Sequence, residues 1–164
     1  MSDSSDRIEK KVFLRAPCAR VWDAISDARR FGAWFGVEFD GPFVAGARLT
    51  GRIHPTSLDP QVAASQAPYA GKSFELVVDR IEPMHRFSFR WHPFAVEPGI
   101  DYTKEPMTLV TFELANLRDG TMLRISESGF ERIPTARRAR SFSANESGWE
   151  GQTKLLEKYL AQVP

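Results

Sequence analysis

"KSFELVVDRIEPMHRFSFRWH", residues 72–92, is the stretch on which the fold turns. Over Lys72–Glu82, Phe74, Leu76 and Val78 alternate with Glu75, Val77 and Asp79, and Pro83 closes the run. Then Phe87, Phe89 and Trp91 alternate with Ser88, Arg90 and His92. A period of two marks strands with one buried and one solvated face. The stretch therefore predicts two consecutive strands of an antiparallel sheet, and its neighbours extend it in both directions.

Downstream, Met107–Asn116 and Thr121–Phe130 read as two more strands, joined through Asp119-Gly120, a strong hairpin signal. Upstream, Ala47, Leu49, Gly51 and Ile53 alternate with Arg48, Thr50, Arg52 and His54 in a half-buried strand. Gly41, Pro42 and Gly46 cut the preceding segment into short extended pieces. Ile8–Leu14 supplies a first strand, rich in large apolar residues. Pro17 suits the first turn of a helix over 17–27 carrying Val21, Trp22 and Ile25, and Asp27 suits the N-cap of a second over Ala28–Trp34. The proline-rich segments 55–70 and 93–106 read as long surface loops. At the end, Ala136, Ala139, Phe142, Glu146, Trp149, Thr153, Leu156 and Leu160 recur at helical spacing. Gly148 interrupts them at about 1 kcal/mol relative to alanine, so a continuous helix with a bend there is expected. Helices segregated from a run of strands give an α+β domain; with two short helices after strand one, this order permits, without periodicity alone proving it, a curved antiparallel sheet of about six or seven strands gripping a long C-terminal helix.

Composition narrows the function. The 164 residues carry 22 Lys and Arg against 21 Asp and Glu, a formal charge of +1. No global field draws in a phosphate backbone, which argues against a dedicated nucleic-acid binder. The single cysteine, Cys18, can form neither an internal disulfide nor a thiolate metal cluster. No stretch approaches the roughly 20 apolar residues of a membrane span, and Met1–Asp6 lacks the regions of a signal peptide. A cytoplasmic protein is expected, with a disordered polar tail over 1–6 and one domain over 7–162. What stands out is 12 Phe, 4 Trp and 3 Tyr, 12% of the chain.

Those rings are the best functional lead. Trp34, Phe35, Phe39, Phe43, Phe87, Phe89, Trp91, Phe112 and Trp149 are the candidate lining of an apolar pocket, against the alternative that they fill the core. Gly148 beside Trp149 suits close approach of the helix to the sheet, with the indole as anchor. Arg90, His92 and Glu127 are the candidate polar groups of the pocket, Glu127 and Arg90 as an inward pair. His54, His85 and His92 share no ligand spacing, so no metal or other cofactor is expected. Arg132, Arg137, Arg138 and Arg140 read as a solvated face at the start of the last helix. There is no phosphate-binding glycine loop and no Gly-x-Ser-x-Gly elbow.

"APCARVWDAISDARRFGAWFG", "VVDRIEPMHRFSFRWHP", "TLVTFEL", "GTMLRISESGF" and "NESGWEGQTKLLEKYL", in this order, resemble bacterial homologues of the heat-shock-protein-90 ATPase activator, within the START-like (helix-grip, SRPBCC) superfamily. The resemblance runs from about residue 8 to 162. It implies a cavity between sheet and C-terminal helix that in the wider superfamily holds hydrophobic small molecules. It implies no catalytic residue set. The expected function is therefore non-catalytic binding of a hydrophobic or aromatic small molecule, with the loops at 55–70 and 93–106 gating the cavity mouth. Two alternatives stand beside it: a cyclase- or hydratase-type enzyme using the same cavity, and an interaction domain with a chaperone partner.

Overall fold

A computed structural model describes residues 7–95 and 99–162; the expected tail over 1–6, and residues 96–98 of the second expected loop, lie outside the described residues. The strands are β1 (Arg7–Leu14), β2 (Val37–Phe39), β3 (Arg48–Ile53), β4 (Ser73–Glu82), β5 (Arg86–Trp91), β6 (Thr108–Leu117) and β7 (Gly120–Ser128). The α-helices are α1 (Cys18–Ser26), α2 (Ala28–Phe35), α3 (Pro60–Gln66) and α4 (Thr135–Gln162). One antiparallel sheet runs in the order β1-β7-β6-β5-β4-β3-β2. From β2 to β7 each strand pairs with its successor, and β1 joins the far edge.

Alternation sets which face packs. Phe87 and Phe89 of β5, Val110, Phe112 and Leu114 of β6, and Leu123 and Ile125 of β7 are buried. Register brings Phe87 opposite Phe112, and Phe112 opposite Ile125. The β6–β7 turn departs from expectation by one residue. Leu117 pairs with Gly120, so Arg118-Asp119 make the turn and Gly120 opens the strand. A Cβ on Gly120 would lie 2.3 Å from the Leu14 carbonyl oxygen, so close approach to β1 is what demands glycine there.

The helices follow their caps. Pro17 sits extended before α1, which buries Val21, Trp22, Ala24 and Ile25. The Asp27 carboxylate accepts from the backbone N–H groups of Arg29 at 3.0 Å and Arg30 at 3.1 Å, capping α2. α4 runs 28 residues without interruption and packs against α1, α2 and β1. No described helix is long and apolar enough to cross a membrane.

The expected loop at 55–70 holds α3 and a 3₁₀ turn at Ala67–Tyr69. Asp59 caps α3 by accepting from Gln61 and Val62, and Pro60 occupies its first turn. Proline here starts a helix rather than breaking one. Asp59 also pairs with Lys158, tying α3 to α4, and these bonds hold its carboxyl below the usual carboxylate range. The segment 93–106 carries a 3₁₀ turn at Tyr102–Lys104. It is anchored by Arg137, which is buried rather than solvated. Arg137 pairs with Glu105 at 3.0 Å, donates to the Pro93 and Phe94 carbonyls, and lies over the Tyr102 ring at 4.7 Å.

Phe31 of α2, 1% exposed, is the hub of the core. Its ring lies 4.8 to 6.5 Å from those of Trp34, Phe35, Phe39, Phe43, Phe87, Phe89 and Phe112. Phe31→Ala is expected to cost about 3–5 kcal/mol in urea unfolding, as for other buried aromatic truncations; a loss below 1 kcal/mol would deny it the hub role.

Candidate functional site

At the end of the sheet where β5, β6 and β7 meet α4, an acidic side chain lies on the apolar face. Along β7, Thr121, Leu123, Ile125 and Glu127 share parity, and Glu127 is fully buried. Its neighbours in register are Ile8 of β1 and Val110 of β6. An uncompensated carboxylate there would be very unfavourable. Four side chains compensate it. Trp91 Nε1 and Thr108 Oγ1 donate to Oε2 at 2.8 and 2.6 Å, and Trp149 Nε1 donates to Oε1 at 2.8 Å. Asn145 Nδ2 donates to both oxygens at 3.0 Å. Indole and amide N–H groups only donate, so this set suits an acceptor-only carboxylate. The indoles of Trp91 and Trp149 stack across it with centroids 5.7 Å apart.

In front of this cluster lies an open cleft of about 450 Å³. Phe35 at the end of α2, Phe74 of β4, Trp91 and Tyr69 form its aromatic walls. α3 contributes Val62, Ser65 and Gln66, and α4 contributes Asn145, Gly148, Gly151 and Gln152. Gln66 and Gln152 both donate to the Phe35 carbonyl, at 3.0 and 3.2 Å, and join α3 and α4 to the end of α2. Gln66 Oε1 accepts from the Thr56 backbone.

The candidate residues divide by place. Phe35, Trp91 and His92 stand in the cleft wall, with Trp149 and Glu127 behind it. Trp34, Phe87, Phe89 and Phe112 are fully buried in solid packing away from the cleft, because the α2 rings interdigitate with the sheet there. Phe39 and Phe43 pack on Phe31 and border a second groove of about 850 Å³, whose walls include Asp27, Glu38, Asp40 and His54. Arg90 does not pair with Glu127. Its strand parity puts it on the outer face, 3.9 Å from Asp79. Gly148 makes no close approach to the sheet: a Cβ there would meet nothing within 4 Å. Sequence reasoning missed Gln66, Asn145, Gly151 and Gln152. The parity of Leu123, Ile125 and Glu127 was the available signal for Glu127, and the Asp59-Pro60 pair was the signal for α3.

His92 follows β5 at the cleft wall. Desolvation holds its imidazole below the ordinary value, and the nearby Arg137 adds to the effect. A hydrogen bond to the Pro106 backbone and the charges of Glu105 and Glu75 pull the other way.

An open antiparallel sheet carrying a long C-terminal helix, with two short helices after its first strand, is a START-type α+β domain. The profile of the activator of Hsp90 ATPase homolog 1-like proteins matches residues 15–161, and the chain belongs to that family. Among solved structures it is similar to DynU16, a protein of the dynemicin biosynthetic locus. Identity is 26% and the TM-score 0.65, over 95% of this chain and 47% of that one. This chain thus spans about half the length of DynU16. A Mesorhizobium loti protein is 21% identical with a TM-score of 0.70, over 96% of this chain and 98% of that one. The Aha1 dimer from Colwellia psychrerythraea is 13% identical with a TM-score of 0.66, over 94% and 95%. These last two likenesses show the fold. Among curated proteins no match was found.

Two outcomes are expected from this geometry. Glu127→Gln places an amide N–H₂ against donors, so it should destabilise by about 1–3 kcal/mol in urea and shift tryptophan emission to the red. Unchanged stability and emission would mean the cluster does not constrain the indoles. For His92, the unfolded chain binds a proton near the ordinary imidazole value while the folded chain binds it lower. Stability should therefore be full above about pH 6.5 and fall as pH drops through the folded value. Urea midpoints at pH 7.5 and 5.5 check this, and His92→Gln should flatten the decline.

Proposed function

We propose that the cleft binds a small hydrophobic or aromatic molecule and that a single domain over 7–162 holds it without transforming it. The observation that carries this reading is the pair Gly148 and Gly151 on the cleft side of α4. Each costs about 1 kcal/mol relative to alanine inside a helix. A Cβ on either meets nothing within 4 Å, so packing does not call for glycine at these positions. Their effect is to leave open a space walled by Phe35, Phe74 and Trp91. A concave, mainly apolar surface with a few polar groups is what small-molecule sites have in common.

Cyclase or hydratase chemistry would need a proton-transfer group available to the cleft. Glu127 has both oxygens engaged by its four donors, so that role would fall to His92. A chaperone-partner reading has the family's name behind it, and capture of the host's own heat-shock-protein-90 homologue would test it.

The binding reading predicts that delipidated protein, titrated with fatty acids, flavonoids and aromatic polyketides, shows quenching of tryptophan emission by at least one class. Gly148→Leu should weaken that binding tenfold or more while the melting temperature stays level or rises. Equal affinity in Gly148→Leu and the parent protein would overturn the assignment of the cleft.

A further inference from the structure

We infer that the cleft takes its ligand as an anion, an apolar-bodied carboxylate whose charged end lies at the rim beside Lys72 while its body lies against the aromatic wall. The inference rests on the binding reading above and adds to it the charge and orientation of the ligand.

The cleft has an electrical polarity. Among its described wall residues Lys72 is the one lysine or arginine, and there is no aspartate or glutamate. His92 adds no charge at pH 7.5, because burial holds its imidazole below the ordinary value. Glu75, next to Phe74 along β4, is on the opposite parity and pairs with Arg48. Behind the wall lies the carboxylate of Glu127, held by Trp91, Thr108, Asn145 and Trp149. A ligand anion is therefore attracted at the rim and opposed at the back, and a cation meets the reverse.

The polar groups deeper in the wall already serve the protein. Gln66 and Gln152 each donate from Nε2 to the Phe35 carbonyl, and Asn145 Nδ2 and Trp91 Nε1 donate to Glu127. What those side chains leave for a ligand is the apolar surface of Phe35, Phe74 and Trp91. Recognition of a charged end falls to the rim. Lys72 is exposed there, on a flexible stem of four carbons. Its Nζ lies over the ring of Tyr69 at 5.7 Å, and Tyr69 belongs to the same wall, so the contact keeps the cation at the cleft. An ammonium has three donors, so a carboxylate joins the contacts Lys72 already makes and needs no vacant lysine. Ser65, Ser73 and Ser147 of the same wall are also exposed. A carboxylate at this rim keeps part of its hydration and escapes the cost of burying a charge, while the apolar body leaves water.

The test uses three matched probes, 2-naphthoate, 2-naphthamide and 2-naphthylmethylammonium, titrated at pH 7.5 by tryptophan quenching. In the parent protein the naphthoate should bind about threefold or more tightly than the naphthamide, the scale of one partly exposed ion pair. The ammonium should bind most weakly. Lys72→Gln should bring the naphthoate-to-naphthamide ratio to about one while affinity for the naphthamide changes by less than twofold. Lys72→Arg should keep the preference and Lys72→Glu should reverse it. In the parent protein the preference should also shrink in about 0.5 M salt, where exposed charges are screened. Thermal melting identifies a variant that fails to fold; the remaining variants and the salt series then carry the test. A parent ratio near or below one, a ratio unmoved by Lys72→Gln, or an ammonium that binds best would each overturn the inference and leave the binding reading standing. If none of the three probes binds, or if all bind equally well to Gly148→Leu, the binding reading fails and this inference with it.

Discussion

The carboxylate of Glu127 is the constraint on which the rest depends. It lies on the apolar face of the sheet, fully buried, and its presence there is tolerable only with every oxygen lone pair directed at a donor. The donors come from three elements: Trp91 at the end of β5, Thr108 at the start of β6, and Asn145 and Trp149 on α4. Satisfying one buried charge therefore fixes where the long helix lies along the sheet and how the two indoles stack. A purely apolar contact would permit sliding by a fraction of a turn; this one does not, because displacement unpairs several hydrogen bonds at once.

Around that anchor the aromatic residues divide into two populations. One set, centred on Phe31, packs ring against ring at centroid separations of 4.8 to 6.5 Å. The other, Phe35, Phe74, Trp91 and Tyr69, turns towards the cleft. The two sets adjoin, since Phe35 stacks on Phe31 at 5.0 Å and approaches Trp91 at 6.0 Å. The solid core thus supports the open surface, which lets α4 carry glycines where bulk would otherwise stabilise it. Arg137 plays the same supporting part for 99–106, joining that segment to the first turns of α4 through Glu105 and Tyr102.

Much of this was legible in local pattern. The alternation of Phe87, Phe89 and Trp91, the Asp27 cap, and the apolar repeat ending in Leu156 and Leu160 each specify an element through the chain's own periodicity. Where reading failed, a residue had two local meanings. Pro60 can break a segment or start a helix, and its use is decided by the Asp59 carboxylate that accepts from Gln61 and Val62. Gly148 can permit contact or preserve space, and only the position of the sheet distinguishes them. Arg137 in a basic run looks solvated until Glu105, far along the chain, comes to lie beside it.

By itself the sequence determined the order of the main strands and helices, with α3 read as loop, the alternation of β3, β4 and β5, and the kinship of the whole, because these depend on intervals of two to four residues or on strings in series. The tertiary structure decided which rings fill and which line, that Glu127 meets Trp91 and Trp149 rather than Arg90, and that His92 and Gln152 share one wall. Those facts depend on contacts between residues as many as 36 positions apart in the Trp91–Glu127 bond, and 117 in the Gln152–Phe35 bond. Side-chain parity says which face a group occupies. Only the packed arrangement of helix on sheet says what it meets there.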